Sequence, residues 1–335
     1  MTAQDNNKTS PKTGDGAKAA VERPARVGEG AGAQGRNDPI IEVRNVALTL
    51  DRPVLKNVSL AVRRGETVAV MGASACGKTT LLRLIMGVYK PDKGEVLLFG
   101  KDIGKMSRED LNKVRTHFGI VFQLGALYNN MTVGENVALP LREHTELDSK
   151  IIEIMVKMKL EQVGLRRFEN SMPGKISGGQ QKRVGLARAI ALDPEILFYD
   201  EPTAGLDPIT ANQITQLIMD LNNTLNVTSV VVTHDRECAF KAADRIAVMY
   251  DGEILDEGPP EKIRNSSHPY VKQFIEGAPD GPIPLWQSSA AYIEDLVSEA
   301  AIAAKTPLIK KIFHAVLLAI FVLVALAGIY YFFFG

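Results

Sequence analysis

Cysteine is nearly absent from this chain: two occur in 335 residues, Cys76 and Cys238. Neither sits in a CxxC or Cys/His spacing, which argues against a disulfide framework and against a structural zinc site. Neither sign of charge prevails. The 39 basic and 39 acidic side chains cancel to a formal net charge of zero, so no broadly basic surface is on offer and nucleic acid is not an expected partner. What remains is ordinary. A hydrophobic share of 45% and a charged share of 23% exclude disorder of the whole chain, and the length suffices for one large or two modest domains with a buried core.

The averages hide uneven ends. Residues 1–38 are rich in Gly, Ala, Lys and Asn and hold almost no large apolar side chain. They cannot bury enough surface to offset the entropy of ordering, and they lack the apolar centre of a secretory signal. This segment reads as a disordered cytoplasmic tail. The other end is the opposite: residues 312–334, IFHAVLLAIFVLVALAGIYYFFF, carry His314 as the clearly polar side chain. Roughly 23 residues at about 1.5 Å each span about 34 Å, enough for a hydrocarbon layer of about 30 Å. Lys305, Lys310 and Lys311 precede the run, so the positive-inside rule leaves the preceding part in the cytoplasm and makes the run a single-pass C-terminal anchor. Tyr330 and Tyr331 would lie near the far interface. Residues 277–311 join this run to the rest through a Pro/Gly linker, GAPDGPIPL, and a helix-like stretch from Ser289 to Ala304.

Between the ends, from about Pro39, lie β-branched alternating runs, IIEVRNVALTL and VLKNVSLAV, and then the short apolar run ETVAVMG. Gly72, Ala73, Ser74, Ala75, Cys76, Gly77, Lys78, Thr79 and Thr80 follow, with a helix-like LLRLIMG behind them. This is GxxxxGK[ST] in strand–loop–helix context, the setting the motif requires. Backbone N–H groups of such a loop face inward at a helix N-terminus and favour phosphate. Lys78 would serve the β and γ phosphates and the Thr79 hydroxyl a Mg²⁺ ion. Cys76 reads as a small tolerated side chain whose neighbourhood makes it open to alkylation. Ala75 is acceptable there on the expectation that its φ is negative.

A metal-holding carboxylate should follow a second apolar strand, and PEILFYDEP places Asp200 and Glu201 there. Asp200 would hold Mg²⁺ through its water shell and Glu201 would polarise the attacking water. The next apolar run, TSVVVTHD, ends near His234, suited to a γ-phosphate or that water. Gln123, after the strand-like GIVF, would sense metal and water. Ser177, Gly178, Gly179 and Gln180 open another helix with exposed N–H groups. A second phosphate-binding helix terminus in one chain suggests a site completed by another subunit.

The ordered set GASACGKTT, Gln123, ISGGQ, ILFYDEP, AGLD and THD resembles the ATP-binding subunit of ABC transporters, over about residues 39–276. The resemblance implies an α/β P-loop NTPase fold of the ABC ATPase type: a RecA-like core, an antiparallel β subdomain and a helical signature subdomain at about 124–190. It implies ATP and Mg²⁺. Ser177, Gly178, Gly179 and Gln180 would cap ATP bound to the opposite subunit of a homodimer, with Asp207 at the interface. Motion would pass to separate permease subunits near Gln123. FQLGALYNNMTVGENVALPLREHTEL, DEPTAGLDPIT and EGAPDGPIPL are further similar to the ATPases of MCE-type (Mla-like) systems, which implies phospholipid or other lipid as cargo and an MCE-type substrate-binding protein as partner. An ABC exporter or importer of another solute, and a regulatory ABC ATPase of the cell-division type, are the alternatives. Two departures matter: Ile176 replaces the usual leucine of the signature, and ALTLDRPV has no aromatic to stack on adenine, which leaves Leu50 or Arg52 to meet the base.

Overall fold

The structure, a computed structural model, describes residues 38–123 and 125–282. The tail before residue 38, the 289–304 helix and the 312–334 span lie outside the described residues. Among the described residues no helix is long and apolar enough to cross a membrane.

The chain opens with the antiparallel hairpin β1 (Pro39–Thr49) and β2 (Pro53–Arg63), followed by β3 (Thr67–Gly72) and α1 (Lys78–Ile85). β4 (Lys93–Leu98) and β5 (Lys101–Asp102) return to the hairpin and complete an antiparallel sheet ordered β2-β1-β4-β5. α2 (Arg108–Arg115) leads to β6 (Phe118–Val121), after which α3 (Val133–His144), α4 (Ser149–Gln162) and α5 (Gly178–Ala189) come in succession. β7 (Ile196–Asp200), α6 (Pro208–Leu225), β8 (Thr228–Thr233), α7 (Arg236–Ala242) and β9 (Arg245–Tyr250) alternate strand with helix. β10 (Glu253–Gly258), α8 (Pro260–Arg264) and α9 (Pro269–Glu276) close the order.

The second sheet runs β10-β9-β3-β8-β7-β6, with β10 antiparallel to β9 and the other pairs parallel. The sequence explains the difference between the sheets. β2 alternates buried Val58, Leu60 and Val62 with exposed neighbours, as suits a sheet covered on one side, whereas β3 and β8 are buried at every position, as a parallel strand between two helical layers must be. Register aligns Val70 with Val232 and Phe198 with Val230, so Gly72, Asp200 and Thr233 finish at one edge.

Two large apolar clusters flank this sheet. One joins Ile41, Val58 and Leu98 to Leu81 and Leu84 of α1 and to Phe198 and Val230; the other joins Leu141, Leu160 and Val184 of α3–α5 to Tyr199, Val231 and Ile218. Each fully buried Leu, Ile or Phe contributes about 1.5–3 kcal/mol. Asn222 of α6 supplies a buried polar tie: its Oδ1 accepts from Ser229 Oγ at 2.8 Å and its Nδ2 donates to Thr67 Oγ1 at 3.2 Å.

Most helices start on a side-chain cap. Ser107 caps α2, Thr132 and Ser177 form reciprocal boxes with Glu135 and Gln180, and Asp207 and Asp235 cap α6 and α7. α1 departs from this: its N-cap is Gly77 at φ 105, without a side-chain cap. The turn into it is sterically tight. A Cβ on Gly72 would fall 2.1 Å from the Met249 carbonyl oxygen, and one on Gly77 3.0 Å from that of Val54.

The same loop overturns the expectation for Ala75, whose φ is +64. The loop must turn back between β3 and the helix start, and that path, not the preference of an L-residue, sets its backbone. A left-handed alanine costs about 1–2 kcal/mol, against about 0.4–1 kcal/mol of unfolded-chain entropy that a glycine would add. Ala75→Gly should therefore stabilise the chain by about 0.5–1 kcal/mol, raising Tm by about 1–4 °C in calorimetry; a lower Tm would contradict the strain.

Candidate functional site

The parallel edge brings together the side chains that the sequence separates by more than a hundred positions. Lys78 opens α1, is buried, and folds its ammonium back into the loop: Nζ donates to the carbonyl oxygens of Gly72 at 2.9 Å and Ala73 at 2.8 Å. One turn of geometry away, Thr79 Oγ1 donates to Asp200 Oδ1 at 3.0 Å, across from strand end to helix start. Burial pushes the Asp200 carboxyl above its ordinary range, the Thr79 bond opposing this. A half-buried acid beside a hydroxyl, a lysine and an uncapped helix start is a donor set fitted to a phosphate chain and a hard divalent ion.

Glu201 begins the turn after β7, with φ +50. Its amide donates to the Val232 carbonyl at 2.8 Å, and its carboxylate is nearly buried. Oε2 lies 2.9 Å from His234 Nδ1, and it accepts from Thr233 Oγ1 and the His234 amide at 3.3 Å each. His234 keeps its outer side toward solvent, its side chain 57% exposed. The pair can hold a water at the carboxylate and present the imidazole edge to an anion.

Gln123 lies beyond the end of β6, next to β7 in the sheet, and is exposed. Ser177, Gly178, Gly179 and Gln180 sit elsewhere, at the start of α5. Ser177 and Gln180 are committed to each other: Ser177 Oγ accepts from the Gln180 amide at 3.3 Å and Gln180 Oε1 from the Ser177 amide at 2.8 Å. Gly179 abuts α6, where a Cβ would meet Thr210 Cγ2 at 2.7 Å. Asp207 also serves that helix, accepting from the Ile209 and Thr210 amides at 3.1 and 3.0 Å and from Thr210 Oγ1 at 2.6 Å. These bonds hold its carboxyl below the usual range. Asp207 and the signature thus meet through Thr210, a neighbourhood that spacing alone does not reveal.

Cys76 is corrected. The thiol is 6% exposed, and burial pushes its pKa up despite Lys78 nearby, so it is a buried small side chain and not an alkylation-prone thiolate. Of the two candidates for the base, Arg52 lines a 280 Å³ cleft with Ser74, Ala75 and Tyr250, while Leu50 projects from the β1–β2 turn at 45% exposure. The Tyr250 ring is stacked on Tyr270 at 4.6 Å.

A larger groove of 1110 Å³ opens beside Gln123, lined by Val88, Phe122, Tyr128, Pro140, His144 and Arg188. Val88, Phe122 and Tyr128 are 55%, 42% and 50% exposed, an apolar concentration that a lone soluble domain has no reason to keep. Arg188 was not singled out by sequence. Its guanidinium donates to the Gly125 and Ala126 carbonyls at 2.9 Å each, fixing the segment after Gln123, and lies 5.9 Å from the Tyr128 ring. Lys182, one turn into α5, was missed as well; as a basic residue in a polar run it reads as solvated, yet it is buried.

The family model for the ABC transporter matches residues 55–204. The chain is 44% identical over 259 residues to the intermembrane phospholipid transport system ATP-binding protein MlaF of Escherichia coli, covering 77% of this chain and 96% of that one. It is 43% identical to the protein of that name from Haemophilus influenzae, over 78% of this chain and 99% of the other. The dimeric post-hydrolysis ATP-binding cassette MJ0796 bound to ADP and Pi superposes with a TM-score of 0.61 at 36% identity, over 66% of this chain and 98% of that chain. With this site and these relatives, the chain belongs to the ATP-binding proteins of ABC transporters and is an ATPase of that family.

Proposed function

We propose that this chain is the ATP-hydrolysing subunit of a phospholipid transport system, working as a homodimer on the cytoplasmic face of the inner membrane beneath separate permease subunits. The observation that carries the ATPase chemistry is the convergence of Lys78, Thr79, Asp200, Glu201 and His234 at one sheet edge. The cargo rests on the relatives, two of which are named for intermembrane phospholipid transport and match over nearly their whole length.

The loop from Gly72 to Thr80 binds the phosphates through its backbone N–H groups, with the Lys78 ammonium leaving its two carbonyl partners to meet the β and γ oxygens. Thr79, Asp200 and Gln123 would hold Mg²⁺, which would neutralise the charge that develops on the phosphates. Glu201 takes the proton of the attacking water as the new oxygen–phosphorus bond forms and the β–γ bridge leaves with ADP. His234 orients that carboxylate from Nδ1 and offers its other nitrogen to the γ-phosphate. Ser177, Gly178, Gly179 and Gln180 cap the nucleotide of the second subunit, with Asp207 at the interface. ATP thereby favours the closed pair because it bridges both halves.

The groove beside Gln123 supports a permease helix as its occupant. The last turn of α3, which contributes Pro140 and His144 from the PLREHT stretch, forms one of its walls. We read residues 39–276 as the single cassette, 277–311 as linker and helix, and 312–334 as a membrane anchor. An MCE-type substrate-binding protein completes the system.

Replacing Glu201 with Gln should cut ATP turnover by about 10²-fold or more while ATP is still bound and dimers accumulate; ordinary hydrolysis in that variant would refute the mechanism. Permease purified through a tag on this chain should carry phospholipid in native mass spectrometry, and a permease free of lipid would favour another solute. In cells lacking the permease, the full-length chain should sediment with membranes and a chain ending at Thr306 should not. Membrane association of the shortened chain would sink the anchor.

A further inference from the structure

Lys182 is 8% exposed on α5. Its ammonium is met by backbone carbonyls: Nζ donates to Pro202 and Ala204 at 2.8 Å each and to Glu201 at 3.3 Å. A lysine has three N–H donors, and all three are used here. The carbonyls belong to the turn that follows β7, the turn that begins with Glu201.

That turn is held in an unfavourable shape. A residue with a Cβ seldom occupies the left-handed region, yet Glu201 does, at φ +50. Its amide is fixed by Val232, and its carbonyl accepts from both Ala204 N at 3.2 Å and Lys182. The Lys182 bonds to the Glu201, Pro202 and Ala204 carbonyls oppose any turning of the backbone from which the carboxylate projects.

The position of Lys182 gives those bonds a second end. α5 starts at the signature, and five residues at about 1.5 Å place Lys182 about 7.5 Å along the same helix from Ser177. Gly179 of that start presses on Thr210, which is tied to Asp207. One face of the start of α5 therefore meets both ends of the segment from Glu201 to Thr210, with Lys182 at the first end and Gly179 at the second.

We propose that Lys182 is a positioning residue that couples the signature end of α5 to the backbone of Glu201, so that seating of Ser177 and Gly179 on the second subunit's nucleotide sets the carboxylate in the first subunit's own site. The inference rests on the assignment of Glu201 as the base and on the paired arrangement. Burial acts to lower the pKa of the ammonium, and the charge of Glu201 opposes this. A solvated surface lysine would feel neither. A lysine that only stabilised the fold would affect nucleotide binding and turnover together; a positioning lysine separates them.

Lys182→Met keeps the aliphatic stem and removes the donors. In the purified full-length chain, kcat for ATP should fall about tenfold or more with KM within about twofold, and Lys182→Arg, which restores donors, should recover kcat to within about threefold of the parent. Combining Lys182→Met with Ser177→Ala should give a kcat within about threefold of the worse single variant, because the two act in series, and not the product of the two losses. An unchanged kcat in Lys182→Met, a multiplicative double variant, or a joint collapse of kcat and nucleotide affinity that Arg fails to rescue would each overturn the coupling. Glu201→Gln measured alongside separates the two levels: normal turnover there removes the base assignment and this inference with it, whereas an inactive Glu201→Gln beside a normal Lys182→Met removes the inference alone.

Discussion

Parallel pairing of β3 with β8 and of β8 with β7 brings three strand ends to one edge of the sheet, and the chemistry of the chain depends on that alignment. Residues 72, 200 and 233 have no sequence relation to one another. Register alone puts the phosphate loop, the acidic pair and Thr233 with His234 within hydrogen-bond reach, as the 3.0 Å contact between Thr79 and Asp200 and the 2.9 Å contact between Glu201 and His234 record. Such an edge is where open α/β sheets receive ligands, because helix starts and strand ends meet there. A one-residue slip of β7 would turn Asp200 to the other face of the sheet and dissolve the site.

Around this edge the chain uses buried ammonium groups as backbone fasteners. Lys78 closes the phosphate loop on two carbonyls, and Lys182 gathers three carbonyls of the turn after β7. Each fixes a segment in a conformation that local preferences disfavour. A buried charge needs full hydrogen bonding to be tolerated, so each fastener holds only in one arrangement. The left-handed backbone at Ala75 and Glu201 is the visible strain of that arrangement.

The two sheets answer different demands. The antiparallel sheet packs one face on α1 and leaves the other to solvent, so its strands alternate; the central parallel strands lie between two packed layers, so β3 and β8 are buried throughout. This made most elements legible: continuous VAVM and SVVV runs between helical patterns, capped by Thr132, Ser177 and Asp207, leave little room for another class of fold. The apolar groove with Phe122 and Tyr128 was less legible, since isolated aromatics in FQLGALY read equally well as core. Their exposure depends on how α3 and α5 stand against the strand edge, a matter of packing that period and composition do not carry.

What the residue order by itself determined is the inventory: a phosphate loop, an acidic pair after an apolar strand, a signature helix start, and a neutral mean composed of unlike segments. These follow from local rules, in which glycine spacing, strand periodicity and helix caps each act over a few residues. Only the tertiary structure decided how the side chains are spent. Ala75 is forced to positive φ by the path of its loop, Cys76 is silenced by burial, Gly179 is set against Thr210, and Lys182 is drawn inward to the carbonyls of Glu201, Pro202 and Ala204. Each outcome is set by a partner far along the chain or by exclusion of water, and neither quantity exists until the segments are packed together.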